Sequence, residues 1–445
     1  MARFLHVADI HLGIKRYNLP DRTTDFFRAW QDVIERYAIE QRVDFVLIAG
    51  DLFDQRKVEP QAANHAMLMF RRLEAKNIPV LAIEGNHDQR EAVSKFSWLR
   101  SFSQWRYLKL LEPEWTEDGN LEMRPWNEEQ ARGSYIDIAD VRIFGSTWYG
   151  TTVGETIPRL ASALAANRRP GAANILMLHS DVEGQLGRPI QSPLGLAKLS
   201  ELKTSVDYLA LGHTHKRFEI GGWAFNPGSL EACNVDEAFT TRGAYLVEIG
   251  AGQVKADFLE AGRDFCQRPF KRIEVELAGD QEPESARSSI DQAVEDACCG
   301  ISELPEDKKP IIEVILRGQL GFRNSELKLE KLKEAALKRF QPLGLIVTNK
   351  TVPRQLAVAV DLAHDASSVD RELRVIHDLA RMDPRLAPRA AEVAALVLEM
   401  KRLALEKEPP EKIFRLLEDR LFCEVANLPA APIPQQPLLF AEVSD

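Results

Sequence analysis

The feature that most constrains this chain is a set of five short polar motifs, each placed directly after an apolar run. Gly85-Asn86-His87-Asp88 is the densest of them. The apolar runs that precede the five motifs are residues 4–8, 45–49, 80–83, 175–178 and 208–211. Short apolar runs bounded by polar residues or glycine are typical of buried strands. Because ligands bind at the carboxyl ends of strands in α/β sheets, the motifs predict an α/β fold in which five strand ends converge on one crevice.

The motifs contain seven side chains of types that bind first-row metal ions: Asp9, His11, Asp51, Asn86, His179, His213 and His215. Seven ligands are too many for one ion, and catalytic sites leave a position open for water, so two open sites that share a carboxylate are expected. Asp51 is the best candidate for sharing, because a carboxylate has two oxygens. Ions about 3.5 to 4 Å apart are suited to clamping a phosphoryl group during in-line attack, so the pattern predicts phosphoester hydrolysis.

The ligand types narrow the choice of metal without settling it. Imidazole and carboxylate groups, with no cysteine near any of the motifs, favour manganese, iron or zinc over calcium or softer ions. His87 is expected to have another role, because a residue adjacent to the ligand Asn86 cannot easily reach the same ion. It is predicted to act on a phosphate or leaving-group oxygen as a hydrogen-bond donor or general acid, with Asp54 or Asp88 orienting its ring.

An isolated histidine is more often a structural residue than a ligand. The alternative is therefore that the histidines in the motifs have structural roles only. The chain has 9 histidines, and five of them fall inside the motifs. Structural roles alone do not readily explain that concentration. The remaining four are interpreted as structural, with His6 in a strand, His65 and His377 on helices and His364 in a linker.

The motifs, taken with the residues around them, resemble those of the calcineurin-like metallophosphoesterases and, more narrowly, of the SbcD-type DNA repair nucleases. The resemblance covers residues 1 to about 260 and lies in Val7 to Gly13, Ala49 to Phe53, Ile83 to Asp88, Gly212 to Arg217 and Pro227 to Glu231, together with Tyr17, Asn18 and Arg22. It implies a manganese-dependent exonuclease on double-stranded DNA ends that is also an endonuclease on single strands and hairpins. It further implies a homodimer that works with an SMC-like ABC ATPase.

The resemblance also implies a division of the ligands. The first metal ion would be held by Asp9, His11, Asp51 and His215, and the second by Asp51, Asn86, His179 and His213. His87 would be the catalytic histidine. Asp54 stands where some members of the family have a second histidine, which leaves an auxiliary phosphate contact at that point open.

Charge and composition limit how such a chain meets DNA and where it resides. The net charge is −10, so DNA contacts are expected to be local rather than spread over the surface. The candidates lie in the loops beside the motifs and are Lys15, Arg16, Arg90, Lys216 and Arg217. The alternative is that they are ordinary solvated charges on loops.

The five cysteines lack metal-ligand spacing, and no apolar run approaches the ~18 residues of a membrane span. A cytoplasmic, nucleoid-associated protein is expected.

With 445 residues, two or three domains are expected. Residues 1–262 are predicted to form a layered nuclease domain, which the resemblance describes as a β-sandwich flanked by helices. Helices are predicted at 25–41 and 60–76. The aromatic segment 92–105 is either a core helix or, as the resemblance implies, part of a dimer interface.

Beyond residue 269 the pattern changes to a small α+β unit, 269–352, which resembles a DNA-gripping capping domain. Residues 368–425 are predicted to be amphipathic helices that either bind the ATPase partner or pack on the cap. The proline-rich tail, 428–445, is predicted to be disordered. Within it, Gln436, Leu439 and Phe440 resemble a sliding-clamp-binding peptide; the alternative is packing on the protein's own surface.

The sequence therefore favours a metal-dependent DNA exonuclease and endonuclease in double-strand-break repair. Two alternatives remain. A small-molecule phosphodiesterase of the same superfamily would use the same ligands, but would have little use for the long segment after the catalytic domain. A non-catalytic DNA-end tether would be expected to have lost ligands, whereas all seven are present.

Overall fold

The computed structural model describes residues 1–91, 96–186, 192–250, 252–353, 368–383, 385–406 and 408–422. The chain divides into two compact units. One comprises residues 1–273, 292–314 and 330–348, and the other comprises residues 274–291, 315–329 and the described residues from 349 onwards. This division by compactness differs from the predicted domain boundaries, because two segments beyond residue 269 belong to the first unit.

The strands of the first 262 residues are short and mostly buried. They are β1 Ala2–Val7, β2 Phe45–Ile48, β3 Val80–Ala82, β4 Lys109–Leu110, β5 Glu114–Trp115, β6 Leu121–Glu122, β7 Tyr135–Ile138, β8 Val141–Phe144, β9 Ala173–His179, β10 Tyr208–Gly212, β11 Phe218–Ile220, β12 Ala224–Asn226, β13 Gly243–Gly250 and β14 Gln253–Glu260. The helices in this region are α1 Asp21–Val33, α2 Pro60–Glu74, α3 Trp98–Gln104, α4 Val153–Asn167 and α5 Leu196–Ser200.

Two six-stranded sheets form the centre of this region. The first has the order β14-β13-β1-β2-β3-β4, in which β1 to β4 run parallel. The second has the order β11-β12-β10-β9-β8-β7, in which β12, β10, β9 and β8 run parallel. The antiparallel pair β13 and β14 forms a hairpin at one side of the first sheet.

Aromatic side chains fill the space between the two sheets. Phe4 stacks on Phe45 with ring centroids 4.9 Å apart, and Tyr208 of the other sheet meets Phe4 edge-on at 5.2 Å. On its other face the first sheet packs against Trp30 of α1 and Phe70 of α2. The outer face of the second sheet is covered by α4. The layer order of helix, sheet, sheet and helix confirms the predicted fold class.

Helix boundaries differ from the predictions where capping decides them. Helix α1 starts at Asp21, four residues before the predicted start, because Pro20 supplies a helical φ of −58° and Asp21 places a carboxylate in the first turn. Helix α3 starts only at Trp98, because the Ser97 side chain accepts the amide of Arg100 and caps the helix there. Residues 92–95 lie outside the described residues.

Beyond residue 269 the described chain forms strands and helices in mixed order and then three helices. The elements are β15 Phe270–Leu277, α6 Pro283–Cys298, β16 Ile311–Leu320, α7 Leu329–Phe340, β17 Gly344–Asn349 and β18 Val352–Pro353, followed by α8 Ser368–Met382, α9 Ala390–Leu405 and α10 Pro410–Leu417. Strand β16 lies between β15 and β17 and also pairs with β18. His364 and the tail with Gln436 to Phe440 lie outside the described residues. Among the described helices, none has the length and apolar character required to cross a membrane.

Candidate metal centre

Parallel strands carry the predicted ligands to one edge of each sheet. Asp9, Asp51 and Asn86 follow β1, β2 and β3, which are neighbours in the first sheet. His179 ends β9 and His213 directly follows β10, and these strands are neighbours in the second sheet. The amide of His213 donates to both carboxylate oxygens of Asp9, at 3.0 Å each, so the two edges meet at the ligands.

The backbone at the ligands is strained. Asp9, His11 and Asp51 have φ values of 51°, 48° and 52°, in the left-handed region that residues other than glycine rarely adopt. Such conformations cost of order 1 to 3 kcal/mol each and cluster at functional sites. The chain therefore turns sharply after β1 and β2 to aim these side chains at the crevice.

Two glycines make room for the ligands. A Cβ added at Gly85 would lie 2.1 Å from Oδ1 of Asp51, and one added at Gly50 would lie 2.3 Å from Nδ1 of His179. Both distances are far shorter than any van der Waals contact. The glycines in these motifs are therefore required by the close approach of the ligand side chains.

His11, His215, Asp9 and Asp51 form the first group of facing donor atoms. Nε2 of His11 lies 3.0 Å from Nε2 of His215 and 3.9 Å from Oδ2 of Asp51. Nε2 of His215 lies 3.9 Å from Oδ1 of Asp9. These four residues are the ones that the resemblance assigns to the first ion.

Asp51, Asn86, His179 and His213 form the second group. Nε2 of His179 lies 3.2 Å from Oδ1 of Asn86 and 3.2 Å from Oδ2 of Asp51. Nδ1 of His213 lies 2.8 Å from the same amide oxygen of Asn86. Oδ2 of Asp51 therefore faces both groups, as a shared ligand must.

The residues fit a pair of divalent cations. Imidazole nitrogens, carboxylates and an amide oxygen converge at 2.8 to 3.9 Å with almost no solvent contact at Asp9, His11, Asp51 and His179. Nδ1 of His11 is buried without a hydrogen-bond partner. Crowding lone pairs in a buried site is unfavourable unless a cation or a proton lies between them. This donor set suits manganese, iron or zinc.

Protein oxygens fix the orientation of three of these imidazoles. Nδ1 of His179 donates to the carbonyl of Ala49 at 2.8 Å. Nε2 of His213 lies 3.2 Å from Asp181, and Nδ1 of His215 lies 3.1 Å from Glu237. Such contacts leave the opposite ring nitrogen with its lone pair directed at the site. The sequence reasoning missed Asp181 and Glu237, because their distance along the chain from their partners follows no motif.

Asp54, one of the two residues predicted to orient the ring of His87, does so through its backbone carbonyl and not through its carboxylate. Nδ1 of His87 donates to the backbone carbonyl of Asp54 at 2.7 Å. The Asp54 carboxylate instead faces Nδ1 of His11, at 3.5 Å, and Asp88 accepts the amides of Leu52 and Gly85. A backbone carbonyl can orient the ring as well as a carboxylate does, and no sequence pattern reports it. Nε2 of His87 stays available for a substrate.

Burial and charge shift the pKa values of the acidic and basic groups. Although burial opposes charge on both groups, the neighbouring imidazole lowers the pKa of Asp51, and the carboxylate raises the pKa of His179 to about 9. Burial, and then the charge of Asp51, raise the pKa of Asp88 to about 8. Protons and metal ions therefore compete for His179, and metal affinity is expected to fall as the pH falls.

Two further side chains reach the centre. The Trp148 ring lies 4.8 Å from the His213 ring and 5.8 Å from the His179 ring. It follows β8, the parallel neighbour of β9, so the strand-end rule would have found it. Cys233 lies with His11 and His215 in a group whose ligand atoms are all within 4.8 Å of one another. No cysteine lies near the ligand motifs in the sequence, as stated above. In the folded chain, however, Cys233 lies close to two of the ligands.

The five candidate DNA contacts lie in different environments. Lys15 pairs with Glu59 at 2.6 Å, and Arg16 stacks over Tyr17. Arg90 bonds to Glu112 and lies 3.5 Å from Glu84. Arg217 donates to the Tyr245 hydroxyl at 2.9 Å. Lys216 lines a cavity of about 440 Å³ together with His213 and His215. The assignment of all five to DNA stays a prediction.

Comparison with known proteins agrees with this geometry. The family model described as calcineurin-like phosphoesterase matches residues 2–217. A protein named DNA double-strand break repair protein Mre11 from Aeropyrum pernix is 26% identical over 344 residues, which cover 75% of this chain and 78% of the relative. The protein of that name from Archaeoglobus fulgidus is 31% identical over 244 residues, covering 53% and 52%.

A third relative with the same name, from Sulfolobus acidocaldarius, is 24% identical over 347 residues, which cover 75% of this chain and 80% of the relative. The segment of this chain that the family model matches contains every predicted ligand, from Asp9 to His215. Residues 2–217 of this chain therefore belong to the calcineurin-like phosphoesterase family.

Proposed function

We propose that this protein is a metal-dependent nuclease that hydrolyses phosphodiester bonds in DNA and acts in double-strand-break repair. The observation that carries the proposal is the meeting of two donor groups at Oδ2 of Asp51, with the His87 ring 4.8 Å from the ring of His11. The names of the archaeal relatives support DNA as the substrate. Two divalent ions held there would polarise the phosphodiester and lower the pKa of water.

The chain's own residues prepare the site for that chemistry. Asp9, His11, Asp51 and His215 would hold one ion, and Asp51, Asn86, His179 and His213 the other. His87 has its Nδ1 proton engaged by the Asp54 carbonyl, so its Nε2 is directed at the substrate. In its protonated form, in which both ring nitrogens carry a proton, His87 would donate from Nε2 a hydrogen bond to a phosphoryl oxygen or a proton to the leaving oxygen. The Trp148 ring lies against the rings of His213 and His179, at 4.8 and 5.8 Å.

The test uses protein reconstituted with Mn²⁺, the ion that the family resemblance favours, and linear duplex DNA labelled at its ends. We expect degradation by the wild type and none by Asp51→Asn, which keeps the shape of the side chain but removes its charge. Asp118→Asn is the matched control, because Asp118 lies in an exposed turn. Comparing blunt duplex, single-stranded and hairpin DNA distinguishes exonuclease from endonuclease activity.

A protein that binds two ions, leaves all of these DNAs intact and hydrolyses a small phosphodiester would contradict the proposal. That result would favour the small-molecule phosphodiesterase. Binding of DNA ends without any hydrolysis in Mn²⁺, Fe²⁺ or Zn²⁺ would favour the non-catalytic tether.

We propose further that the protein is a homodimer through the aromatic region at α3. Trp105 meets Phe102 edge-on at 5.6 Å and leaves 54% of its surface exposed. A large exposed aromatic surface often marks an interface. Light scattering is expected to give twice the chain mass of 50.2 kDa for the wild type and a monomer for Trp105→Glu. Trp115→Glu is the matched control, since Trp115 is 50% exposed on β5; a monomeric wild type would contradict the dimer.

We propose that helices α8, α9 and α10 bind an SMC-like ABC ATPase. Each presents a large apolar side chain to solvent: Leu379, Leu405 and Phe414. An amphipathic helix that is exposed on its apolar side is suited to a hydrophobic groove or a coiled coil.

We propose that the tail binds a sliding clamp through Gln436, Leu439 and Phe440, which lie outside the described residues; packing on the protein's own surface is the alternative. Titration of a labelled peptide of residues 430–445 with purified clamp is expected to give saturable binding, and Phe440→Ala is expected to remove it. No binding at ~100 μM clamp, a weak limit even for short motifs, would contradict the role.

A further inference from the structure

Cys233 lies beside the metal centre although it belongs to none of the ligand motifs. Its thiol offers a ligand atom within 4.8 Å of ring nitrogens of both His11 and His215, which themselves approach to 3.0 Å. The three residues thus bring one sulfur and two nitrogens around the position assigned to the first ion. Only 9% of Cys233 is exposed, so bulk water does not compete strongly for that sulfur.

The loop that carries Cys233 is fixed on both sides. The Cys233 amide donates to Oε2 of Glu237 at 2.8 Å, and Oε1 of the same carboxylate lies 3.1 Å from Nδ1 of His215. Glu237 therefore positions the cysteine backbone and the imidazole together. A carboxylate that holds a ligand in this way sets its orientation before an ion binds.

A buried ion network fixes the other side of the loop. Glu231 is fully buried, accepts the amide of Arg268 at 2.8 Å and lies 3.3 Å from the Arg22 guanidinium. Arg22 also donates to the carbonyl of Ala232 at 2.6 Å, directly before Cys233. The loop position is therefore set by charged contacts made well away from the ligands.

The alternative role for Cys233 is that of a small apolar residue. It does pack with Ile14 and Phe26. That role accounts for its burial but not for its position beside two imidazoles whose Nε2 atoms face each other at 3.0 Å. Contact with Ile14 and Phe26 could equally be made by alanine or valine, which would offer no ligand atom.

We propose that the Cys233 thiolate is an additional ligand of the metal position formed by His11 and His215, and that it makes this position prefer thiophilic divalent ions over Mn²⁺. Thiolate and imidazole together favour zinc and similar ions, whereas manganese prefers oxygen ligands. On binding, the S–H bond breaks, the sulfur electron pair forms the bond to the ion and the proton passes to solvent. No electron is transferred, so neither oxidant nor reductant is needed.

Cobalt substitution of the full-length, reduced protein tests this directly. A thiolate bound to Co²⁺ gives a sulfur-to-metal charge-transfer band in the near ultraviolet, which nitrogen and oxygen ligands do not give. We expect the band in the wild type at two bound Co²⁺ per chain, its loss in Cys233→Ser and its retention in Cys299→Ser, where the cysteine is exposed. Competition between Cd²⁺ and Mn²⁺ should shift roughly 10-fold towards Mn²⁺ in Cys233→Ser.

The wild-type spectrum decides the matter even if Cys233→Ser fails to fold. A wild type that binds two Co²⁺ without the band, a wild type that binds no Co²⁺, or a band that persists in Cys233→Ser would each overturn the proposal. The inference rests on the metal centre of the proposed function but not on its substrate. Nuclease activity in Mn²⁺ without a sulfur band would refute the cysteine ligand alone, whereas a sulfur band in a protein inactive on DNA would refute the nuclease alone.

Discussion

The metal centre and the helices α8 to α10 depart from ordinary burial in opposite directions. At the centre, Asp9 and His179 are fully buried although both are polar. On the helices, Leu405 and Phe414 are apolar but 73% and 65% exposed. Buried polar groups are unfavourable without a partner, and so are exposed apolar ones. The two regions differ in what their side chains suit: the buried polar groups suit bound ions, and the exposed apolar groups suit the proposed contact with another protein.

Removal of the shared carboxylate should have the largest effect. Asp51→Ala is expected to lose both ions and to lower DNA hydrolysis roughly 1,000-fold or more, because several kcal/mol of charge stabilisation disappear. Elemental analysis of the purified variant measures the ions directly. Two ions per chain in Asp51→Ala would show that the two donor groups do not depend on a common ligand.

His87→Ala separates catalysis from metal binding within the same centre. Turnover is expected to fall roughly 100-fold, the usual scale for one acid-base or hydrogen-bonding group, with the metal content unchanged. Single-turnover hydrolysis and elemental analysis on the same preparation check both parts. Loss of an ion would make His87 a ligand and end its assignment as the catalytic histidine.

On the opposite side of the comparison, Phe414→Ser should weaken ATPase binding roughly 30-fold, the scale of a buried aromatic anchor worth 2 kcal/mol. DNA hydrolysis by the nuclease alone should not change. The free energy of unfolding should stay within about 0.5 kcal/mol, because the side chain is exposed. Arg415→Ser, on the same helix, is the control. A clear loss of stability in Phe414→Ser would mean that the helix packs on its own unit instead.

A smaller effect concerns His6, a polar residue buried between the sheets without a metal role. Its ring contacts the Tyr208 hydroxyl at 2.9 Å and the Leu211 carbonyl at 3.0 Å, and burial lowers its pKa to about 3. The unfolded chain takes up a proton below pH 6.5 that the folded chain does not. The contribution of neutral His6 to the free energy of unfolding is therefore fully present above pH 6.5 and is lost as the pH falls towards 3.

His6→Gln is expected to remove about 1.4 kcal/mol of the stability difference between pH 7.5 and pH 5.5. Denaturant unfolding of both proteins at the two pH values measures it, and subtraction cancels the other titrating groups. An equal pH dependence in the two proteins would mean that His6 takes up its proton at the same pH in the folded and the unfolded chain, against the lowered pKa.

Much of the catalytic half follows from local patterns. Short apolar runs predict strands, and the strand-end rule collects Asp9, Asp51, Asn86, His179 and His213, because parallel neighbouring strands finish at one edge. The structural interpretation of His6 and His65 is confirmed, with His6 in β1 and His65 in α2. Helix ends were less predictable, since single capping contacts such as that of Ser97 decide them.

The side chains that strands carry to the centre could be predicted from the amino-acid sequence alone, since strand direction and alternation are local properties of the chain. The groups that surround these side chains depend on how the whole chain packs. The Asp54 carbonyl on His87, the Glu237 carboxylate on His215 and the Cys233 thiol beside both imidazoles come from loops whose paths depend on distant contacts. The Arg22 to Glu231 contact, for example, joins residues 209 positions apart. Such contacts follow no rule of sequence spacing. They form because they lower the free energy of the whole folded domain, which no short stretch of sequence determines.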